Sequence, residues 1–460
     1  MSPIEDRLFH RTLVEEWPLI SHGEGVYLFD TAGKRYLDAC AGVHVVSIGH
    51  GVREVVEVMS EQAARVCFTY SRFLTQPQLD LADRIAAMTP PGLSRVFFVS
   101  GGSEATESAM KMARKYHVAK GNPQKHKVVS RWQSWHGNTI GALSMSGRSP
   151  WRRDYSPYLL DFPHIPAPDP YRCTLCREHS ECQLYCADEF ERVVRQEGSE
   201  CISAFIAEPI LGTSAAGLTP PPDYYPRIRE ICDRHDILMI VDEVVTGFGR
   251  TGLPFGIDHW GVVPDIMATG KGLSSGYTPI AATIAHERVY DAIYGSSSSF
   301  THGHTYGGNP LSCAVALAVQ DYIEDRDLIS QCAAMGSLLL SQLLPLKDLP
   351  IVAQVRGKGL LIGVEFTADK AERTPFDPAL GVTSMVVDRA LDKGVLIMPG
   401  APGLEDGVAG DHIAISPPFT IEESEVGRIA EVLTEVIQEV SEHLGYACRA
   451  VTERPGSKES

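Results

Sequence analysis

An aspartate and a lysine, Asp242 and Lys271, each follow an apolar run and could form a buried reactive site. Asp242 comes directly after the apolar run Ile237–Val241, so it lies at the buried carboxyl end of a predicted strand. A buried carboxylate requires a partner. The protonated nitrogen of a pyridine ring would serve, and the pair would make the ring an electron sink for a carbanion. Capping the amino end of a helix is an equally good alternative for this aspartate.

The second residue is Lys271, which lies between two glycines just past the short run Pro264–Ala268. Lysines are usually solvated, but the residues around this one are small or apolar. Loss of solvation lowers the pKa of the amine, and a neutral amine can form a Schiff base. Taken in isolation, the segment fits an exposed loop with an ordinary lysine better.

A phosphate could bind at the turn Ser100–Ser103, which follows the predicted strand Arg95–Val99 and leads into a helical pattern. Small residues such as Gly102 and Ser103 at the start of a helix leave backbone N–H groups free and let a phosphate come close. A Gly-Gly turn with a purely structural role is the more common case.

Two further residues could complete such a site. Trp135, in SWHGNT, follows another predicted strand, and its flat ring could stack on a cofactor, although core packing is the commoner use of tryptophan. Thr305, in HTYGGNP, lies in a glycine-rich loop before a helix that Asn309 caps and Pro310 begins. Its hydroxyl could bind phosphate, and a plain helix entry is the alternative.

The elements that would position these residues form a repeating pattern. Short apolar runs alternate with helical patterns from about Arg95 to Ala318, which predicts an α/β fold: a mainly parallel sheet covered by helices on both faces. Active sites in such sheets lie beyond the carboxyl ends of the strands. The predicted strands are Arg95–Val99, Lys127–Ser130, Ala204–Ala207, Ile237–Val241 and Pro264–Ala268.

The segment Phe162–Leu184 breaks the alternation, and we predict a long surface excursion there. It is rich in proline, and its cysteines continue into the next residues, giving Cys173, Cys176, Cys182 and Cys186. Four thiols can form a closed tetrahedral zinc site. The second spacing is tight for that purpose, so we predict reduced thiols and no metal.

The chain is predicted to contain a large domain and a smaller α+β domain. The smaller domain is indicated by the pattern VRGKGLLIGVEF, a helix around Ser384–Lys393 and a last helix from Ile421, and the opening strands Gly25–Asp30 and Lys34–Asp38 are expected to pack with it. The predicted parts are an N-terminal segment (1–60), the large domain (61–327), the smaller domain (328–447) and a polar tail (448–460).

The composition argues against several kinds of partner. Hydrophobic residues make up 44% of the 460 positions, and the net charge of −17 disfavours nucleic acid and anionic membranes. Met1–Arg11 has no apolar stretch of a signal peptide, and the apolar runs are too short to span a bilayer. The 11 scattered cysteines, an odd number, predict reduced thiols in a cytoplasmic protein.

Taken in this order, the segments resemble the class III aminotransferases, also called ω-aminotransferases, which have the type I fold of pyridoxal phosphate (PLP) enzymes. The resemblance runs from VYLFDTAGKRYLDACAG to ISPPFTIEESEV, which is nearly the whole chain. Its most specific parts are SGGSEATESAMKMAR, AFIAEP, VDEVVTGFGRTG, TGKGLSSGY and HTYGGNP. It implies a mainly parallel, seven-stranded type of sheet in a large PLP-binding domain, with a smaller α+β domain.

The resemblance also implies a role for each matching residue. Lys271 forms the Schiff base with PLP and then shuttles the proton, while Asp242 pairs with the pyridine nitrogen. Thr305 reaches the phosphate in the neighbouring subunit, so a homodimer with shared active sites is implied. The remaining roles are phosphate binding by Gly102 and Ser103, packing on the two ring faces by Trp135 and Val244, and substrate binding by Glu208 and Val43.

The chain departs from the family pattern at two positions. Many members have a glutamine that donates to the 3-oxygen of the ring where this chain has Val245. Members that handle α-carboxylates often have an arginine shortly before the PP of HIAISPP, where this chain has Ala414. A bidentate arginine–carboxylate pair is hard to replace. Another group must therefore bind the carboxylate of the acceptor, and Arg72 and Arg148 are the candidates.

We therefore predict a PLP-dependent transaminase that moves an amino group from an ω-amino compound to a 2-oxo acid such as pyruvate or 2-oxoglutarate. A lyase, an epimerase or a decarboxylase is the alternative, because all of them share the motifs that bind PLP. SWHG, TPPGL and RGKGLLIGVE also resemble dialkylglycine decarboxylase, but that enzyme has a glutamine in place of Val43 and the arginine missing at Ala414. A non-catalytic binding protein on the same fold would be expected to lack Lys271.

Overall fold

The computed structural model of the protein describes residues 7–12, 18–176, 179, 181–297 and 299–446, so the predicted tail lies outside the described residues. The strands are β1 (Ile20–Glu24), β2 (Tyr27–Asp30), β3 (Arg35–Asp38), β4 (Leu93–Val99), β5 (Lys127–Arg131), β6 (His164–Ile165), β7 (Ile202–Ala207), β8 (Leu238–Asp242), β9 (Ile266–Thr269), β10 (Ala281–His286), β11 (Val352–Lys358), β12 (Leu361–Phe366), β13 (Val395–Leu396), β14 (Met398–Pro399) and β15 (Asp411–Ile415). The helices are α1 (Ala41–His44), α2 (Arg53–Arg65), α3 (Gln76–Met88), α4 (Gly102–Ala119), α5 (Ile140–Met145), α6 (Ser149–Arg152), α7 (Tyr185–Glu197), α8 (Tyr224–Arg234), α9 (Glu287–Ser296), α10 (Pro310–Asp325), α11 (Leu328–Leu343), α12 (Val382–Asp392) and α13 (Glu423–His443).

A seven-stranded sheet with the order β4-β10-β9-β8-β7-β5-β6 forms the centre of the large domain. The strands from β6 to β9 pair in parallel, and only β10 runs antiparallel to its two neighbours within this sheet. Every residue of β7 and β8 is buried, as expected for parallel strands that are covered on both faces. The predicted α/β fold with a mainly parallel sheet is confirmed.

Helices cover both faces of this sheet, and β8 shows how the faces divide. Met239 and Val241 point into a core that contains residues of α3, α7, α8 and α10. Leu238 and Ile240 point into the opposite core, which contains residues of α4 and α9. Because neighbouring side chains of a strand alternate between faces, β8 has no solvent-facing side. Its one polar residue, Asp242, is its last residue.

Two smaller sheets complete the fold. The antiparallel sheet β11-β12-β15-β14 packs with α11, α12 and α13. The other has the order β1-β2-β3-β13, so the opening strands of the chain pair with a strand from its last third, with Val395 opposite Leu37. Helix α2 continues through residue 60 without a break and packs on α10.

The segment predicted as a surface excursion, Phe162–Leu184, is attached to both domains. It begins with β6, which extends the large sheet at β5. Further along, Arg172 donates from Nε to Glu365 Oε1 at 2.5 Å and also pairs with Glu405. Glu365 is fully buried in β12, and a buried carboxylate requires a cation or hydrogen-bond donors. This requirement holds the segment against the smaller domain.

The stretch Leu328–Asp348, which contains α11, is long and apolar enough to cross a membrane by length and composition. A core helix can pass the same test. Here Cys332, Leu339 and Leu343 belong to the core that α11 forms with α13 and β11. One face of α11 is therefore used in packing within the smaller domain, although only 28% of the apolar window is buried.

The close contact of α11 with a neighbouring turn gives a test of this packing. A Cβ on Gly336 would come within 2.6 Å of Gly359 Cα and overlap its carbonyl group. We expect Gly336→Ala to lower the free energy of unfolding by about 1–3 kcal/mol, because the backbone must shift. Gly427→Ala in α13 is the control, since no heavy atom lies within 4 Å of the added Cβ. It should be neutral or stabilise by up to about 1 kcal/mol. Urea unfolding of both variants measures the difference, and equal effects would contradict the packing.

Candidate active site

Asp242 and Lys271 lie at the carboxyl ends of neighbouring parallel strands. Asp242 is the last residue of β8 and lies opposite Ala268 of β9. Lys271 follows β9 by two residues and begins a short 3₁₀ turn, Lys271–Leu273. Its φ of +41° is a conformation that residues other than glycine rarely adopt, and such strain is concentrated at functional sites. The sheet thus brings the carboxylate and the amine to the same edge.

The surroundings of Lys271 favour a neutral amine. Burial lowers the pKa of Lys271 to about 8, and the charge of Arg250 acts in the same direction, whereas the carboxylates of Asp242 and Glu208 oppose it. An amine with this pKa is a far better nucleophile at neutral pH than that of an ordinary lysine. The structure therefore does not place Lys271 in the exposed loop that is its alternative reading.

Asp242 is fixed by a histidine from a distant part of the chain. His136 Nδ1 lies 2.7 Å from Asp242 Oδ2, and the backbone N–H of Val244 donates to Oδ1 at 3.0 Å. Both side chains are buried, and His136 is itself held by Ser146 Oγ and Thr106 Oγ1, which bond its backbone. Residues 244–250 form turns, so Asp242 does not cap a helix. Its carboxylate is positioned and faces the end of the sheet.

Glu208 organises the loops on the neighbouring side. It follows β7 directly and is buried. Its Oε1 accepts a hydrogen bond from Trp135 N at 2.8 Å, and its Oε2 accepts one from Gly212 N at 3.0 Å. Burial raises the pKa of this carboxyl. Glu208 therefore holds two loops, one of which carries Trp135, in fixed positions beside Lys271.

The predicted phosphate turn lies close to Val244. A Cβ on Gly102 would be 2.8 Å from Val244 Cγ1, so only glycine fits there. Helix α4 begins at Gly102 after the extended Gly101, which has no side chain to cap the first N–H groups. Ser103 Oγ accepts from Asn138 N at 3.0 Å, which ties the turn to the loop of Trp135. A helix start of this kind favours a phosphate.

This set of groups fits PLP. The start of α4 provides a place for the phosphate, Asp242 a carboxylate for a protonated ring nitrogen, and Lys271 a reactive amine. Trp135 and Val244 come from separate loops of the same sheet edge. Each of these residues was predicted from the sequence, and the fold brings all of them together.

The structure also places the other positions that the sequence singled out. Thr305 is exposed, and its neighbour His304 pairs with Glu104 in the first turn of α4 (Nδ1–Oε1 3.5 Å). Val43 is 48% exposed in α1, where Gly42 and Val43 leave helical geometry. Val245 packs toward Gly212, whose Cβ would be 3.1 Å from Val245 Cγ2. The chain therefore has an apolar contact where many relatives have a glutamine donor.

Two buried polar residues near Lys271 were not predicted from the sequence. His44 forms hydrogen bonds with Ser416 Oγ through Nδ1 at 2.6 Å and with Thr213 Oγ1 through Nε2 at 3.3 Å. Burial holds the pKa of His44 well below its usual value, and the charges of Lys271 and Arg250 act in the same direction. Arg250 donates from Nη1 to the carbonyls of Leu360 (3.1 Å) and Pro417 (2.6 Å). A histidine within VHVVSIG and an arginine within TGFGRTG were the available signals.

Of the four clustered cysteines, Cys173, Cys176 and Cys182 lie in the excursion and Cys186 lies in α7. They are free thiols, of which Cys176 and Cys186 are buried. Within the described ranges, no three or more His, Cys, Asp or Glu residues are arranged to hold a metal ion. Arg177, Glu178 and Ser180, between these cysteines, are outside the described residues.

The chain matches the sequence profile of the family "Aminotransferase class-III" over residues 13–437. The chain is a class III aminotransferase. It is 40% identical to the uncharacterized aminotransferase YodT of Bacillus subtilis, over 94% of this chain and 97% of YodT.

Solved structures of transaminases share this fold. An amine transaminase from an uncultivated Pseudomonas species, in its PLP-bound form, is 36% identical with a TM-score of 0.88, over 95% of this chain and 99% of that one. An (S)-enantioselective ω-transaminase from Thermomicrobium roseum is 36% identical with a TM-score of 0.86, over 93% of each chain. The predicted family, type I fold and PLP cofactor are confirmed.

The pKa of Lys271 in the aminotransferase gives a pH prediction. Below about pH 8 the amine is protonated, so the rate at which cofactor-free enzyme attaches PLP should rise about tenfold from pH 6 to pH 7 and level off above pH 8. Absorbance of the attached cofactor measures this rate. The reaction of PLP with Nα-acetyl-lysine amide in the same buffers corrects for ionisations of the cofactor. In Asp242→Asn, loss of the neighbouring charge should move the midpoint to lower pH. A rate that keeps rising to pH 10 would show that Lys271 is not desolvated.

Proposed function

We propose that this aminotransferase moves an amino group from an ω-amino compound to a 2-oxo acid such as pyruvate or 2-oxoglutarate. The observation that carries the proposal is the amine of Lys271, with a pKa of about 8, at the same sheet edge as the buried carboxylate of Asp242. The likeness to an amine transaminase and an ω-transaminase supports an amine donor. Ala414, fully buried on β15, supports a donor whose amine-bearing carbon has no carboxylate.

Asp242 and Lys271 have two tasks, which are to hold the cofactor and to transfer a proton. When bound, PLP supplies the electron sink for a carbanion at the amine-bearing carbon. Asp242, oriented by His136, would keep the ring nitrogen of the bound cofactor protonated. Lys271 would hold the cofactor covalently through Nζ, and the same atom, once free, would accept the proton from the amine-bearing carbon of the donor.

The remaining residues of the site bind and orient. Gly102 and Ser103 would hold the phosphate at the start of α4, and Trp135 and Val244 would pack on the ring. Glu208 fixes Trp135 through its backbone N–H, so its effect on the substrate pocket is through position. Val43 and its neighbour His44 contribute to the substrate side.

Amination of the cofactor by a donor alone tests this function. The PLP-loaded enzyme, mixed with a primary amine or ω-amino acid and no acceptor, should convert its cofactor to the amine form in one turnover, and added pyruvate should restore the aldehyde form. Absorbance follows both steps, and Lys271→Ala should show neither. Turnover of the donor with the cofactor left in its aldehyde form would contradict transamination, because a lyase or an epimerase regenerates that form.

A homodimer with shared active sites belongs to the same proposal. Phe68, Tyr70, Phe73 and Leu74 are exposed, and the exposed Tyr306 meets Phe68 edge to face at 5.8 Å. Asn309 Nδ2 donates to the carbonyl of Cys67 at 3.0 Å, which joins this apolar patch to the loop of Thr305. Exposed patches of this kind mark protein interfaces. The patch therefore supports a second copy of the chain placed against Thr305.

Mixed dimers distinguish a shared site from a self-contained one. Lys271→Ala removes the reactive amine, and T305E should repel the phosphate by like charge. If Thr305 acts on the partner's site, each heterodimer of the two variants has one site with both native residues. Refolding the variants at a 1:1 ratio should then restore roughly a quarter of the activity, because about half of the dimers are mixed and one of their two sites works. No restoration, with heterodimers present, would place Thr305 in its own chain's site.

We also propose a cytoplasmic enzyme. The ten cysteines among the described residues are all free thiols, which supports a reducing compartment.

A further inference from the structure

Arg148 lies against two tryptophans on the Trp135 side of the site. It directly precedes α6, and its guanidinium carbon is 5.2 Å from the centroid of the Trp135 ring and 4.6 Å from that of Trp151. The two rings meet edge to face at 5.0 Å. Stacking on aromatic rings stabilises the guanidinium and fixes its plane. The arginine is therefore held in place by its contacts with the two rings.

The positive charge of Arg148 has no carboxylate partner within the described part of the chain. Its Nε is buried and makes no hydrogen bond. Burial lowers the pKa of Arg148 to about 10, and Arg11, which lies over Trp151 at 4.7 Å, acts in the same direction. Arg148 is only partly buried, but a buried donor without a hydrogen bond costs free energy unless a ligand completes it. The missing partner is an anion.

Two neighbours place Arg148 next to the chemistry. The carboxylate of Glu208 lies near enough to both Arg148 and Lys271 to raise the pKa of each. The second neighbour is His412 of β15, whose pKa burial lowers to about 4, with the charges of Arg356 and Arg148 adding to that effect. His412 and Ala414 share one face of β15, because they are two residues apart. Arg148 thus lies in a loop beside the face of β15 that carries Ala414, where many members of the family have an arginine.

We propose that Arg148 binds the carboxylate of the 2-oxo acid acceptor and so makes the enzyme selective for acceptors that carry one. The edge of a guanidinium offers parallel N–H donors that match a carboxylate. An amine donor without a carboxylate does not use this contact. The inference rests on the transamination proposed above, and it assigns to one residue the role that Ala414 cannot fill.

Arg148→Met tests the assignment, because methionine keeps much of the length and packing against the tryptophans but has no charge. The two half-reactions are measured separately by stopped-flow absorbance. With the amine form of the enzyme, the apparent dissociation constant for pyruvate should rise about 10- to 100-fold. With acetaldehyde, which lacks the carboxylate, wild type and variant should differ by less than about twofold. The half-reaction with 1-phenylethylamine should also change by less than about twofold. Arg148→Lys should lie between, since it keeps the charge without the planar fork.

Arg153→Met is the matched control. It removes the same charge five residues away, where Arg153 Nη2 donates to the carbonyl of Gly407 at 2.7 Å. We expect its constant for pyruvate to stay within about twofold of wild type. An equal loss in Arg153→Met would show a general field effect and overturn the proposal. So would an equal loss with acetaldehyde in Arg148→Met, because that would make Arg148 a support for Trp135 only.

A binding measurement separates this inference from the function itself. Pyruvate titrated into the PLP-loaded enzyme should change the fluorescence of Trp135 and Trp151 in wild type, with a midpoint that is shifted at least tenfold in Arg148→Met. This readout needs no turnover. If the cofactor is never aminated but the shift is found, the proposed function fails and the carboxylate site stands. Arg72 lies on the exposed segment before α3. If amination occurs, and Arg72→Met weakens the binding of pyruvate while Arg148→Met does not, the site assignment fails and the function stands.

Discussion

The carboxylate of Asp242 is buried at the end of the central strand of the large sheet, and a buried charge costs several kcal/mol unless partners surround it. Here His136, the N–H of Val244 and the amine of Lys271 share that task. His136 is in turn bonded through its backbone to Ser146 and Thr106. The need to satisfy one carboxylate thus fixes the loop of Trp135 and the start of α4 relative to β8. A protonated ring nitrogen would therefore meet a carboxylate that is already positioned.

A second buried charge joins the domains behind the reactive lysine. Arg250 lies in the turns that follow β8. It donates to the carbonyl of Leu360, beside β12, and to that of Pro417, just after β15. Its guanidinium lies 4.6 Å from the centroid of the Phe419 ring. Its charge also contributes to the low pKa of Lys271 and His44. Movement of the smaller domain would therefore change the electrostatics at Lys271. The placement of the smaller domain and the reactivity of the amine are linked through this residue.

The sequence predicted the central strands because buried parallel strands are continuous apolar runs, and their carboxyl ends located Asp242 and Lys271. Strand β10 was not predicted: its sequence, AATIAH, is half alanine and has little strand signal. The His136–Asp242 bond joins residues 106 positions apart, and the Arg172–Glu365 pair joins residues 193 apart. No local pattern encodes such contacts, so the sequence predicts only a surface excursion at Phe162–Leu184. The position of Thr305 relative to a partner is likewise not a property of one chain.

Glu208 explains why Arg148 still needs an anion although a carboxylate lies nearby. Both oxygens of Glu208 accept backbone hydrogen bonds, from Trp135 and from Gly212, so its geometry is committed to the two loops. Burial also raises its pKa, which means that the charged form is disfavoured. Turning this carboxylate toward the arginine would release the loop that carries Trp135, and Trp135 is part of the stack that holds Arg148. The positive charge can then be satisfied without loss of the site only by a carboxylate that arrives with the substrate. A loop residue, Arg148, can therefore replace the arginine that many members of the family have on the strand that corresponds to β15. The carboxylate of Glu208 holds this loop but cannot neutralise the charge of Arg148.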